Sequence, residues 1–162
     1  MKVIKPNYIS FTKIKYSKER LILKYTDDLE KGQNKHELDS FETPEPELIA
    51  CFKELAYEVA EICELTDIEN IKDRIQVIGV SFSNTNDIRG TVISALLTLR
   101  KTNAPLCINT PHKPDEAYSE QGEDHMRIET IAILDTLEEY ATRFLQGKRA
   151  QIELDLKVKE AG

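Results

Sequence analysis

The amino-acid sequence predicts a two-layer α+β domain, a mostly antiparallel sheet with two long helices on one face, in the order βββαβββα. Three observations carry this. Short runs with apolar residues at every second position recur along the chain, two longer stretches repeat apolar residues at helical spacing, and one such stretch closes each set of three strands. Two helices that are each apolar on one side need a common surface, and one face of a single sheet is the economical choice.

The first two runs, Tyr8 to Tyr16 and Glu19 to Asp27, are separated by the polar Ser17-Lys18 and read as a hairpin. Strict alternation in the first places Tyr8, Ser10, Thr12, Ile14 and Tyr16 on one face and Ile9, Phe11, Lys13 and Lys15 on the other; in the second, Leu21, Leu23 and Tyr25 align. Lys31-Gly32-Gln33-Asn34 is turn chemistry, so His36 to Phe41 is expected as a third strand at the sheet edge.

Thr43-Pro44-Glu45-Pro46-Glu47 reads as a helix entrance, because the first turn needs no backbone donor and acidic groups there complement the helix dipole. Leu48, Phe52, Leu55, Val59 and Ile62 then recur at helical spacing, with Cys51 and Cys63 on the same stripe, which predicts a helix over Pro46 to Leu65. A polar link, Asp67 to Lys72, precedes a strand over Arg74 to Ser83 with Ile78, Val80 and Phe82 aligned. Asn84-Thr85-Asn86-Asp87 turns the chain. Gly90 to Lys101 returns with Ile93, Ala95, Leu97 and Leu99 on one side, and Thr102-Asn103 leads into Ala104 to Asn109, which completes a meander. The segment from Thr110 to Asp124 is a long polar loop. Asp124 is placed to cap a second helix whose apolar side carries Ile128, Ile131, Leu134, Leu137, Ala141, Phe144 and Leu145, with Gly147 as its stop. The organisation expected is one domain over residues 1–149 and a tail over 150–162.

At 162 residues with 40% hydrophobic and 31% charged side chains, the chain is long enough for one core and too apolar for disorder. Its longest apolar stretches fall well short of the ~20 residues needed to cross a bilayer, and Met1 to Pro6 lacks the apolar region of a secretory signal. Three cysteines without CxxC spacing read as buried free thiols in a reducing, cytoplasmic setting, in which Cys107 and His112 form only a weak candidate for a nucleophilic pair. No phosphate-cradling glycine loop, metal-ligand cluster or nucleophile elbow occurs, so no cofactor is implied and a non-enzymatic role is expected.

The formal charge of −7 argues against wholesale wrapping of duplex DNA. That total conceals two blocks. Residues 1–25 hold seven Lys and Arg against Glu19 alone, whereas Asp27 to Glu69 hold fourteen acidic side chains against three lysines. Lys13, Lys15, Lys18, Arg20 and Lys24, interleaved with Tyr8, Phe11, Tyr16 and Tyr25, form a candidate surface for single-stranded nucleic acid, with ammonium groups on phosphates and rings under bases. The competing reading places those rings in the core while the lysine stems reach the wet face.

Asn109-Thr110-Pro111-His112-Lys113-Pro114 fixes the backbone around a titratable His and a Lys at a strand exit. Arg89, Thr110, His112 and Lys113 are therefore a candidate ligand loop, and the alternative is a proline-stiffened connection from sheet to helix. The strings IQVIGVSFS (75–83), GTVISALLTLRKTNAPLCINTPHKPDEAYS (90–119) and GKRAQ (147–151), with the element order, resemble a family of small uncharacterised proteins encoded by tailed phages and prophages. The resemblance spans most of the chain, is most specific in NTPHKP and GKRAQ, and implies a phage or prophage context but no chemistry.

In the tail, Gln151, Leu154 and Leu156 resemble the loose Q-x-x-L-x-[LF] peptide by which bacterial proteins dock on the replication sliding clamp. The alternation of Ile152, Leu154, Leu156 and Val158 with charged residues equally suits an added strand or a homo-oligomer contact. The functional expectation is a non-enzymatic phage or prophage binding protein acting beside DNA replication or recombination, contacting nucleic acid or a replication protein. The alternatives are an assembly or host-protein inhibitor module using the tail and the open sheet face, and a small-molecule-binding protein or hydrolase.

Overall fold

The computed structural model describes residues 9–27, 34–65, 70–116 and 124–149. Three strands, β1 (Ile9–Ser17), β2 (Arg20–Asp27) and β3 (Asn34–Ser40), precede helix α1 (Pro46–Ile62) and a single turn, α2 (Ile71–Arg74). Then follow β4 (Ile75–Thr85), β5 (Ile88–Thr98), β6 (Pro105–Asn109), the two-residue β7 (Lys113–Pro114) and helix α3 (Ile128–Leu145). The protein is an α+β fold whose strands run β3-β2-β1-β4-β5-β6 across one antiparallel sheet, with β7 pairing β5. Two meanders are thus joined through the centre. Among the described residues, no helix is long and apolar enough to cross a membrane.

Both hairpins close on two residues in the left-handed region, Lys18 and Glu19 in one and Asn86 and Asp87 in the other. That geometry, with Ser17 opposite Arg20 and Thr85 opposite Ile88, is a two-residue hairpin turn whose twist matches that of the strands. One core unites the layers: Phe11, Ile14, Leu21 and Leu23 from the first meander, Val77, Val80, Ile93 and Ala95 from the second, and Leu48, Leu55, Val59, Leu134, Leu137 and Phe144 from the helices.

Strict alternation fails at two places, each for the same reason. An extra residue in β1, Thr12, and another in β4, Ile78, shift the register of the ladder. A bulge resets which face a side chain takes. Phe11 and Ile14 are therefore both buried, and Ile9 and Tyr16 pack beside them, instead of falling on opposite sides. In β4 the buried set is Ile75, Val77, Val80 and Phe82, with Ile78 left off the core stripe.

The helix boundaries depart from expectation at the end of α1 and the start of α3, while Gly147 ends α3 as expected. Helix α1 stops at Ile62, where Glu64 turns left-handed and Leu65 N–H donates to Ala60 O at 2.8 Å. Leu65 belongs to the stripe because it folds back on the core after the helix has ended. Helix α3 closes the same way: Gly147 adopts φ +94°, Gly147 N–H donates to Phe144 O and Lys148 N–H to Arg143 O. At its start Asp124 does not cap. The position before the first turn is Arg127, Asp124 pairs with Lys113 instead, and Ile128 is 78% exposed.

Candidate functional site

The face of the sheet away from the helices gathers the lysines of the first hairpin. Because Ile14 and Leu23 point into the core, Lys13, Lys15 and Lys24 point outward. Lys24 lies directly across the ladder from Lys13, and on the other side of β1 Lys13 faces Ser81 while Lys15 faces Gly79. A Cβ placed on Gly79 would sit 3.5 Å from Cβ and Cγ of Lys15, so the Lys15 stem lies over this glycine. Like charges directly opposite in a ladder are unfavourable. Among the described residues, no carboxylate lies within 4 Å of Lys13, Lys15, Lys24 or the turn residue Lys18. Further along the same face Ser94 donates to Asn109 Oδ1 at 2.6 Å.

Arg20 does not join this set. Its Nε donates to Asp39 Oδ1 at 2.7 Å and its Nη2 to Asp39 Oδ2, a two-pronged pair with the neighbouring strand β3. The guanidinium holds the Asp39 carboxyl below the usual range, and Asp39 in turn raises the Arg20 pKa. The acidic block therefore reaches the basic one through β3, and not through α1, whose acidic side chains lie on the far side of the sheet.

The rings do not line this face either. Phe11 is buried 6.1 Å from Tyr25, Tyr16 stacks on Phe52 of α1 at 6.4 Å, and Tyr25 stacks on His36 at 5.0 Å. They fill the helix side while the lysines cover the wet side; Tyr8 lies outside the described residues. An Asp-His pair that the sequence reading did not single out accompanies them: buried Asp27 accepts from Asn34 Nδ2 at 3.1 Å and contacts His36 Nε2. Only the cross-strand register of Tyr25 with His36 could have signalled it.

The candidate ligand loop is not brought together. Arg89 faces α3, where Nε lies 2.9 Å from Asp115, Nη2 3.0 Å from Asp135 and Nη1 3.2 Å from Glu138, above the Phe82 ring. Burial nonetheless pushes the Asp115 carboxyl up, against the pull of Arg89. His112 lies on the other face, packed over Gly90 and bonded to Ser83 Oγ through Nε2 at 3.0 Å. Thr110 is buried: its hydroxyl accepts from Ile93 N–H and its own N–H donates to Ile93 O, each at 2.9 Å, which continues the β5–β6 ladder past Asn109. Lys113 pairs with Asp124, and Pro114 O accepts from Met126 N–H at 2.7 Å. Arg89, Lys113 and Pro114 thus tie the sheet to α3 and its approach, while Thr110 and His112 are bonded within the sheet. Arg149 of the second distinctive string donates from Nη1 to Phe144 O at 2.6 Å and from Nε to Glu42 at 2.6 Å, so it closes the end of α3.

Cys51 is buried, and burial, with Glu54 and Glu47 nearby, pushes its thiol up to about 12; Cys63 is half-buried and raised by the same cause. Cys107, expected inside, is exposed on β6. Among the described residues, no group of three or more His, Cys, Asp or Glu is placed to hold a metal ion. Gln151, Leu154 and Leu156 lie outside the described residues. No family model, curated protein or solved structure matches the chain.

Proposed function

We propose that this chain is a non-enzymatic binding protein whose open sheet face takes the phosphate backbone of a single-stranded nucleic acid, in the phage or prophage replication or recombination context that the sequence resemblance implies. The observation that supports it is the row formed by Lys13, Lys15 and Lys24: three outward ammonium groups, two of them directly opposed, with no carboxylate within 4 Å among the described residues. A mutual repulsion that a single Lys-to-Glu exchange would relieve is a cost that an anionic partner offsets. With the aromatic rings turned to the helices, binding rests on phosphate neutralisation and carries little base preference.

The test is fluorescence anisotropy with labelled single strands of mixed sequence across a salt series. Replacing Lys13, Lys15 and Lys24 together by Gln should abolish most binding and flatten the salt slope by about two units, since each phosphate contact on a single strand contributes roughly 0.7. Absence of binding by the unmodified protein at low salt overturns the proposal.

A second reading, an assembly or host-protein inhibitor module, is favoured by the edge strand β6, where Leu106 is 47% exposed beside Cys107, with Leu99 37% exposed in the turn that leads to it. Light scattering with and without residues 150–162 tests it: a homo-oligomer or complex that survives the deletion unchanged removes the tail from the account.

A further inference from the structure

The two meanders part company at one end of the sheet. Pairing between β1 and β4 spans only Lys13–Ser81, Ile14–Val80 and Lys15–Gly79. Beyond it β1 continues back to Ile9 along β2, and β4 continues forward to Thr85 along β5. The bulge at Thr12 swings β1 away at the point where the ladder stops. The inner edges of both strands are thus left without the ladder that the rest of the sheet enjoys, and their exposed backbone groups are open to water or to a ligand. The gap is a cleft of about 650 Å³. Ser10, Thr12 and Thr26 line one wall, Ser83, Asn84 and Asp87 the other, Lys35 stands at the mouth, and Arg89 and Glu138 lie deeper beside Phe11 and Phe82.

The chemistry of this lining selects a ligand. The Ser10 and Thr26 hydroxyls and the Asn84 amide offer both donors and acceptors, Thr12 donates to Lys24 O at 3.2 Å and keeps its lone pairs to accept, Ser83 is bonded to His112, and the cleft's two cations are matched by its two carboxylates. That balance gives no reason for a net charge on the occupant. Glu138 is engaged by Arg89, whereas Asp87 has no ion-pair partner among the described residues, and a carboxylate of that kind accepts from two adjacent hydroxyls at once. Arg89 is held by carboxylates on the α3 side and by the Phe82 ring, and so presents a fixed wall. Such a volume suits a molecule the size of a sugar or nucleoside.

We infer that the cleft between Ser10–Thr12 and Ser83–Asp87 binds a neutral ligand carrying a vicinal diol, recognised by Asp87 and Asn84 on one wall and by the Ser10 and Thr12 hydroxyls on the other. The site is independent of the lysine row, and neither needs the other. The vicinal diol is shared by free monosaccharides and by ribonucleosides, so titration calorimetry and amide chemical-shift mapping with ribose, glucose, adenosine and 2′-deoxyadenosine distinguish the sources. Binding of the first two as well as adenosine assigns a sugar site, and binding of adenosine alone assigns a nucleoside site. In either case 2′-deoxyadenosine should bind at least about tenfold more weakly than adenosine, because it lacks one of the two hydroxyls that bond to the charged carboxylate. The paired variants D87N and N84A should each reduce affinity by a similar factor while leaving the thermal midpoint and oligonucleotide binding unchanged. No shift perturbation in residues 9–12 or 82–89 with any diol at millimolar concentration overturns the inference. So does equal binding of the deoxynucleoside, or binding that D87N and N84A leave intact.

Discussion

The two polar regions of this sheet use the same residue types to opposite ends. Around Arg89, His112 and Lys113 the charged groups are met within the chain, although Thr91 Oγ1 and Asp115 Oδ1 beside them lack a hydrogen-bond partner among the described residues: three carboxylates surround one guanidinium, a serine meets the imidazole, and an aspartate meets the ammonium. Across the open face of the first meander, Lys13, Lys15 and Lys24 stand beside one another with no such company among the described residues. Distinctiveness in sequence therefore marks the region that builds the fold, while three plain lysines remain available for a partner. A group already bonded inside the chain must give up that bond to take a ligand; a group that is repelled by its neighbour gains by taking one.

The largest effect is expected from removing Arg89. Exchange for Met leaves Asp115 and Glu138 partly buried without their counter-charge, and removal of one partner from such a set costs about 3–5 kcal/mol. Because Asp135 is 64% exposed and water relieves it, the lower end, about 3 kcal/mol, is the expected loss in urea unfolding. A loss under about 0.5 kcal/mol would mean that this region is no more committed than the lysine row. Next in size is Gly90→Ala. Its Cβ would fall 2.1 Å from His112 Nε2 and 2.9 Å from Ser83 Oγ, so the ring has to leave, at a cost of about 1–3 kcal/mol for overpacking. Adding His112→Ala should restore much of that stability, which a backbone effect at residue 90 would not allow.

The lysine row should behave in the reverse way. Replacing Lys13, Lys15 and Lys24 by Gln keeps the stems that cover Gly79 and removes the repulsion, so unfolding free energy should stay within about 0.5 kcal/mol of the parent or rise. Thiol labelling adds a local check. Cys107 on the exposed strand β6 should react with a disulfide reagent at neutral pH in the folded protein, while Cys51, buried and pushed up to about 12, should react only on unfolding. Rapid labelling of Cys51 at the same rate would show that α1 opens more readily than its packing implies.

What could be read from the sequence follows the same division. Element order, both hairpins and both helices were legible because periods of two and of 3.6 residues are imposed by a core that only apolar side chains can fill. The two bulges were not, since one additional residue such as Thr12 or Ile78 changes no composition and breaks no pattern until the strand is paired. The error this causes is local but matters most for function: it decides that Phe11 joins Ile14 inside and that β1 parts from β4. Arg89 and His112 were legible as polar residues near one hairpin, but strand parity puts neighbours 89 and 90 on opposite faces, and His112 follows Gly90. Arg20 failed for a similar reason, because its partner Asp39 is a neighbour only once β2 pairs β3.

Arg20, tied to Asp39 at the β3 side of the lysine row, gives the finest test. Asp39→Asn releases a guanidinium next to the lysine row without adding a positive residue. If phosphate neutralisation drives binding, affinity for single strands should rise and the salt slope should steepen by up to about 0.7, one further contact. The same release should follow from acid. The Asp39 carboxyl is held below its ordinary 3.8 by Arg20, so the pair is intact above that value and is lost only as pH falls through the lower folded value. Its small stabilising contribution is therefore present at neutral pH and disappears in acid, and the Asn variant should lack that part of the pH dependence. Binding that is unchanged in Asp39→Asn but lost in the Lys-to-Gln triple would place the strand contact on the lysine side of β2 and leave Arg20 with the residues that hold the sheet together.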